Sequence, residues 1–149
     1  MQTLEVKAAL QIAKPASVIF EAVVNPEHMK NYFISKSSGR MEEGKTLVWQ
    51  FPEFEFEAPV RVGKIEQDKY ISFAWDGDDG KELSVEITLT PQPDHSTVVR
   101  ISEIGMENTE AGIAWLVGNT EGWANFLACM KAWLEYGIHL RKGAFDFMK

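Results

Sequence analysis

Few residues in this chain have the type and spacing that chemistry demands. Gly39-Arg-Met-Glu-Glu-Gly44-Lys45-Thr46 matches the phosphate-loop pattern G-x-x-x-x-G-K-T letter for letter. That pattern works because backbone N–H groups wrap phosphate at the start of a helix that follows a strand. Here Leu47-Val-Trp-Gln-Phe51 follows, a strand pattern, and Glu42 and Glu43 put two negative charges inside the loop. The match is read as chance. Asp76, Asp78 and Asp79 beside Gly80 carry the oxygens of a calcium loop, but the segment is too short and its spacing to a bidentate Glu is wrong. It reads as a hairpin turn. His28, His95 and His139 fall on a helix, a turn and a helix end, and with Cys129 they offer no metal-ligand spacing. His139 suits the negative end of a helix dipole. Cys129 sits in a helical pattern beside Met130 and reads as a packed thiol. No catalytic residue, metal ligand or cofactor is assigned.

One charge remains. If the strand begun by Thr97, Val99 and Ile101 keeps its alternation, Glu103 points inward. A carboxylate there needs a partner, water or a ligand, because an unpaired buried charge is expensive. If the strand ends or bulges at Ser102, Glu103 faces out. The aromatic residues pose a similar choice. Trp49, Phe56, Trp75, Trp115, Trp123 and Phe126, with Leu127 and Met130, either line a pocket or fill a core.

Those groups need elements to position them. Trp123, Phe126, Leu127, Met130, Leu134 and Ile138 recur at helical spacing, which predicts one long helix over Asn119–Leu140. Its first half reads as ligand-facing; Leu134 and Ile138 read as anchors. Leu4, Val6, Ala8, Leu10 and Ile12 alternate with polar residues and predict a strand. Pro15 and Asn25-Pro26-Glu27 then start two short helices, Ala16–Val24 and Pro26–Phe33. Residues 34–44 read as a turn or irregular strand. Further alternating runs are Leu47–Phe51, Phe54–Val62, Ile71–Trp75, Leu83–Leu89 and a last strand from Thr97, at hairpin spacing. Gly105–Gly118 is either a loop with a helical turn or an early start to the long helix.

Bulk properties narrow the partners. A hydrophobic share of 45% in 149 residues supports one domain whose core needs no staples. A net charge of −7 without a basic run argues against nucleic acid and anionic membrane surfaces. A single cysteine excludes an internal disulfide framework and is compatible with the cytoplasm. No secretory leader or membrane span is expected.

Three stretches carry a family resemblance: Ile12-Ala-Lys-Pro-Ala-Ser-Val18, Val24-Asn-Pro-Glu-His-Met-Lys-Asn-Tyr-Phe33, and Glu121-Gly-Trp123 leading to Leu127, Lys131 and Leu134-Glu135. With their order, the chain resembles the START-like (SRPBCC) superfamily, in the branch named after the activator of the heat-shock protein 90 ATPase. Tyr32 stands where that branch usually has Trp. The resemblance implies an α+β helix-grip fold over 1–149: a curved antiparallel β-sheet wrapped around a long C-terminal α-helix, with two short helices after the first strand. It also implies a cavity between sheet and helix for an apolar, aromatic or lipid-like small molecule. The ligand-binding set expected is Trp49, Phe56, Trp75, Glu103, Trp115, Trp123, Phe126, Leu127 and Met130. The alternatives are an enzyme of the cyclase, aromatase or hydrolase kind, with polar groups such as Glu103 or Tyr70 at work, or a cofactor of a heat-shock protein 90 chaperone. A monomer or a homodimer fits either. The phosphate-loop match makes a separate prediction: ATP titration should give no micromolar binding, and Lys45→Ala should leave the titration unchanged.

Overall fold

The computed structural model describes residues 2–149. The elements run β1 (Thr3–Ile12), α1 (Ala16–Val24), α2 (Pro26–Met29), β2 (Lys36–Ser37), β3 (Thr46–Gln50), β4 (Glu57–Glu66), β5 (Tyr70–Asp76), β6 (Glu82–Pro91), β7 (Thr97–Glu107) and α3 (Glu110–Tyr136), with a 3-10 turn at Asp146–Met148. All seven strands form one antiparallel sheet in the order β1-β7-β6-β5-β4-β3-β2. The sheet curves, and its inner face holds α3.

Alternation builds that inner face. In β6, Leu83, Val85, Ile87 and Leu89 are buried while Glu82, Ser84, Glu86 and Thr88 are exposed. The same rule puts Ile71 and Phe73 of β5 and Val99, Ile101 and Glu103 of β7 inside. α1 and α2 close one end, and Tyr32 donates its hydroxyl to the Ala22 carbonyl at 2.8 Å. Tyr32 is fully buried, which pushes its phenol well above the usual range.

The expected boundaries shift at four places, each for a local reason. α2 ends at Met29 rather than Phe33, and turns follow. β4 begins at Glu57, so Phe54 and Phe56 lie in a loop and not in a strand. α3 begins at Glu110, nine residues before Asn119, so the early-start alternative for Gly105–Gly118 holds from residue 110 onward. Thr109 caps it by accepting the Gly112 N–H at 3.0 Å. Gly112 is needed there, since a Cβ at that position would come within 1.9 Å of the Glu107 carbonyl oxygen. α3 stops at Tyr136 because Gly137 takes the left-handed conformation (φ 67°) and returns its N–H to Trp133 at 2.9 Å. Leu134 is therefore half-buried against the core, whereas Ile138, past the helix, is 53% exposed and anchors nothing.

The phosphate-loop match lies where a helix would have to begin, and the chain instead enters β3. Lys45 pairs with Glu42 at 3.3 Å. Asp76–Gly80 is the β5–β6 turn, with Asp79 accepting the Lys81 N–H.

The far end of α3 is tied to β1 by charge. Glu135 accepts the Ala13 N–H at 2.8 Å and pairs with Lys131, which also donates to the Gln11 carbonyl at 2.8 Å. The Lys131 hydrogen bond, then the Ala13 N–H, hold the Glu135 carboxyl below its usual range. A lowered folded-state pKa stabilises above the unfolded value and loses that contribution as pH falls through the folded one. Glu135→Gln should thus cost about 1 kcal/mol at neutral pH. In urea denaturation at several pH values, the gap from wild type should close as pH drops below the ordinary carboxylate pKa of about 4.3.

Candidate functional site

The interior between sheet and α3 is organised around Glu103, which is 0% exposed. β7 continues to Glu107, so the inward alternative holds. Trp75 of β5 donates its indole N–H to Glu103 Oε2 at 2.8 Å. Asn119 and Trp123 of α3 donate to Oε1 at 2.8 and 3.0 Å. Asn119 and Trp123 are one helical turn apart and present their donors to one point. Three N–H donors and no acceptor suit a carboxylate, which only accepts. No cation lies within ion-pair distance of Glu103 among the described residues. The negative group is held by hydrogen bonds alone, each of a kind that contributes roughly 1.5–3 kcal/mol.

Rings surround this polar knot. Trp75 and Trp123 lie 5.9 Å apart, tilted by 32°. Trp49 contacts Phe73 at 5.3 Å and Trp75 at 5.9 Å. Phe33, in the turn after α2, is the hub at the other side: it meets Phe126 at 4.7 Å, Phe51 at 5.2 Å, Trp49 at 5.8 Å and Trp123 at 5.9 Å. Most contacts are edge-to-face, the favoured geometry. Phe33 also forms part of a surface cleft of about 340 Å³ with Ile34, Pro52, Glu53 and the tail after α3.

Of the expected site residues, the structure brings together Trp49, Trp75, Glu103, Trp123 and Phe126. Leu127 and Met130 are buried in the same core. Phe56 is not part of it. It is 56% exposed because β4 pairing starts one residue later, and it rests on Phe51 and Phe54 instead. Trp115 packs half-buried against the core, outside the ring cluster, with its indole nitrogen buried and unpaired. Tyr70 shares the outer face of β5 with Ser72, opposite to Ile71 and Phe73, so it cannot act with Glu103. Cys129 is buried and unpaired, and burial pushes its thiol up. His139 lies beyond the end of α3 and lines the cleft.

Sequence reasoning missed Phe33, Phe73 and Asn119. Phe33 read as a helix residue and Asn119 as a helix start. It also missed Glu53, whose carboxylate pairs with Arg141 at 2.6 Å across 88 residues, a separation that leaves no local signal.

A curved antiparallel sheet gripping one long C-terminal helix, with two short helices after the first strand, defines a START-like helix-grip protein. The family model described as Activator of Hsp90 ATPase homolog 1-like protein matches residues 13–135, and the chain belongs to that family. Among solved structures, the protein SSP2350 from Staphylococcus saprophyticus is 28% identical with a TM-score of 0.79, covering 91% of this chain and 94% of that one. DynU16, a protein of the dynemicin biosynthetic locus, is 23% identical with a TM-score of 0.78, covering 89% of this chain and 48% of that one. The Aha1 dimer from Colwellia psychrerythraea gives 21% identity and a TM-score of 0.74, with 90% and 98% covered. The last two bear on the fold alone. No curated protein matches the chain. No helix among the described residues is long and apolar enough to cross a membrane.

Glu103→Gln isolates the polar knot. Whichever way the amide turns, its NH₂ faces an indole N–H that then loses its acceptor. The variant should lose about 1–3 kcal/mol in urea denaturation. Unchanged stability would mean that these hydrogen bonds hold nothing.

Proposed function

We propose that the protein binds a small apolar or aromatic compound, without transforming it, in the space between the sheet and α3. One observation carries this reading. The ring layer runs unbroken from the Trp75–Trp123 pair to Phe33, and Phe33 borders the 340 Å³ cleft. A cleft of that size, backed by aromatic side chains with a few polar groups among them, suits a compound of one or two rings. The rings fill the interior in the free protein, so a ligand would enter past Phe33 and part them. The biosynthetic locus that names DynU16 is compatible with a small organic ligand.

An enzyme using the same interior has less support. The oxygens of Glu103 are engaged by three donors, and Tyr70 stands on the far face. That leaves no acid–base pair there. A chaperone-cofactor role rests on the family description, and a homodimer on the relative from Colwellia psychrerythraea. The inferred compartment is the cytoplasm, for which the single free cysteine is suited.

The test is a titration with N-phenyl-1-naphthylamine, a neutral probe that accepts energy from tryptophan. Tryptophan emission should fall along a saturable, micromolar curve. Phe33→Leu, which keeps the site apolar but removes four ring contacts, should shift Kd by about tenfold in protein still folded at the titration temperature, with Tm lowered by the lost packing. A response that rises linearly to the solubility limit would sink the proposal.

A further inference from the structure

The cleft beside Phe33 is richer in cations than the chain as a whole. The protein carries a net −7 with histidine taken as neutral, yet Lys30, Arg141, Lys142 and Lys149 all line this one cleft, together with His139. Its two carboxylates are already engaged, Glu53 with Arg141 at 2.6 Å and Asp146 with Lys149 at 3.2 Å. Lys30 pairs with Glu27 at 3.2 Å. His139 and Lys142 make no ion pair among the described residues.

Arg141 is the centre of the arrangement. Its guanidinium lies 5.5 Å from the Phe33 ring and 4.8 Å from Phe145, and its side chain is 12% exposed. One terminal nitrogen serves Glu53. The Nε–H is buried with no acceptor. That atom is sealed from the cleft, and the nitrogen a ligand's oxygen can meet is the other terminal one, which makes no hydrogen bond among the described residues and is not enclosed.

We infer that this cleft holds the anionic head, a carboxylate or sulfonate, of the aromatic compound whose body the interior takes. The inference rests on the proposed apolar ligand and adds its head group. The one unpaired lysine of the cleft among the described residues, Lys142, attracts a small organic anion to the apolar wall, and the planar guanidinium of Arg141 matches an oxyanion better than a neutral group. Bare phosphate fits less well, because the Phe33 and Pro52 side of the cleft offers it nothing. His139, Arg141, Lys142 and Lys149 all lie beyond the family-matched residues 13–135.

The test uses two near-isosteric probes on the intact protein, 2-naphthoate and 2-naphthamide, by isothermal calorimetry. At low salt the naphthoate should bind about tenfold more tightly, and the advantage should shrink as ionic strength rises. Arg141 is a poor first variant, since its loss leaves Glu53 buried and unpaired. The double variant His139→Gln with Lys142→Gln changes only exposed side chains. It should lower the ratio of naphthoate to naphthamide affinity, both measured on the same variant, by several-fold. Equal binding of the two probes to wild type overturns the anion site but keeps the apolar-ligand reading. A preference that survives both the double variant and the paired variant Glu53→Gln with Arg141→Gln, which removes the buried ion pair whole, also overturns it, because the anion is then held elsewhere. Failure of both probes to bind overturns both.

Discussion

A carboxylate that is sealed from water must have its oxygens satisfied, and much of this fold follows from meeting that demand at Glu103. Removing a charge from water costs several kcal/mol even after the protein relaxes. The compensation comes from three donors on two other elements, so β5, β7 and α3 can meet in only one relation. Trp75 must lie on the inner face of β5, opposite Leu83 of β6 in the ladder. α3 must present Asn119 and Trp123 together. Apolar packing alone tolerates sliding and rotation. A fixed set of N–H directions does not. The indoles therefore have two roles: their rings fill the space and their N–H groups set the register.

This explains which parts of the molecule were legible beforehand. Burial on one face writes itself into a strand every second residue, so the sheet could be read, and with it the inward position of Glu103 as one of two options. The partners of Glu103 could not be read. Asn119 belongs to a stretch broken by Gly112, Gly118 and Gly122, each of which lowers helix propensity. The helix start was hidden there although Thr109 caps it. Phe56 was misplaced for the opposite reason: the alternation continues through the loop from Phe54 into β4, and pattern alone does not show where pairing begins. Phe33 and Arg141 lie in irregular backbone, where no period exists to detect.

The interior and the surface cleft meet at one side chain. Phe33 touches Trp123 and Phe126 on the inside and lies under the Arg141 guanidinium on the outside. The tail that follows Gly137 is thus packed against the same rings that α3 and the sheet share. Glu53, 7% exposed, gives that tail a charged attachment, and Phe145 adds an apolar one. Tail position and ring packing are consequently coupled through direct contact.

The sheet order has a consequence for how the chain is made. β1 pairs with β7, and the hydrogen bond from Gln11 to Ser96 joins residues 85 apart. On a ribosome, β1 emerges long before the strand that completes it. Until then its backbone groups stay open to any other extended chain. Contacts this distant also slow the search for the native arrangement. The last long element to emerge, α3, is also the one that seals the interior. Until α3 has emerged, the aromatic residues of the inner sheet face lack the helix that covers them.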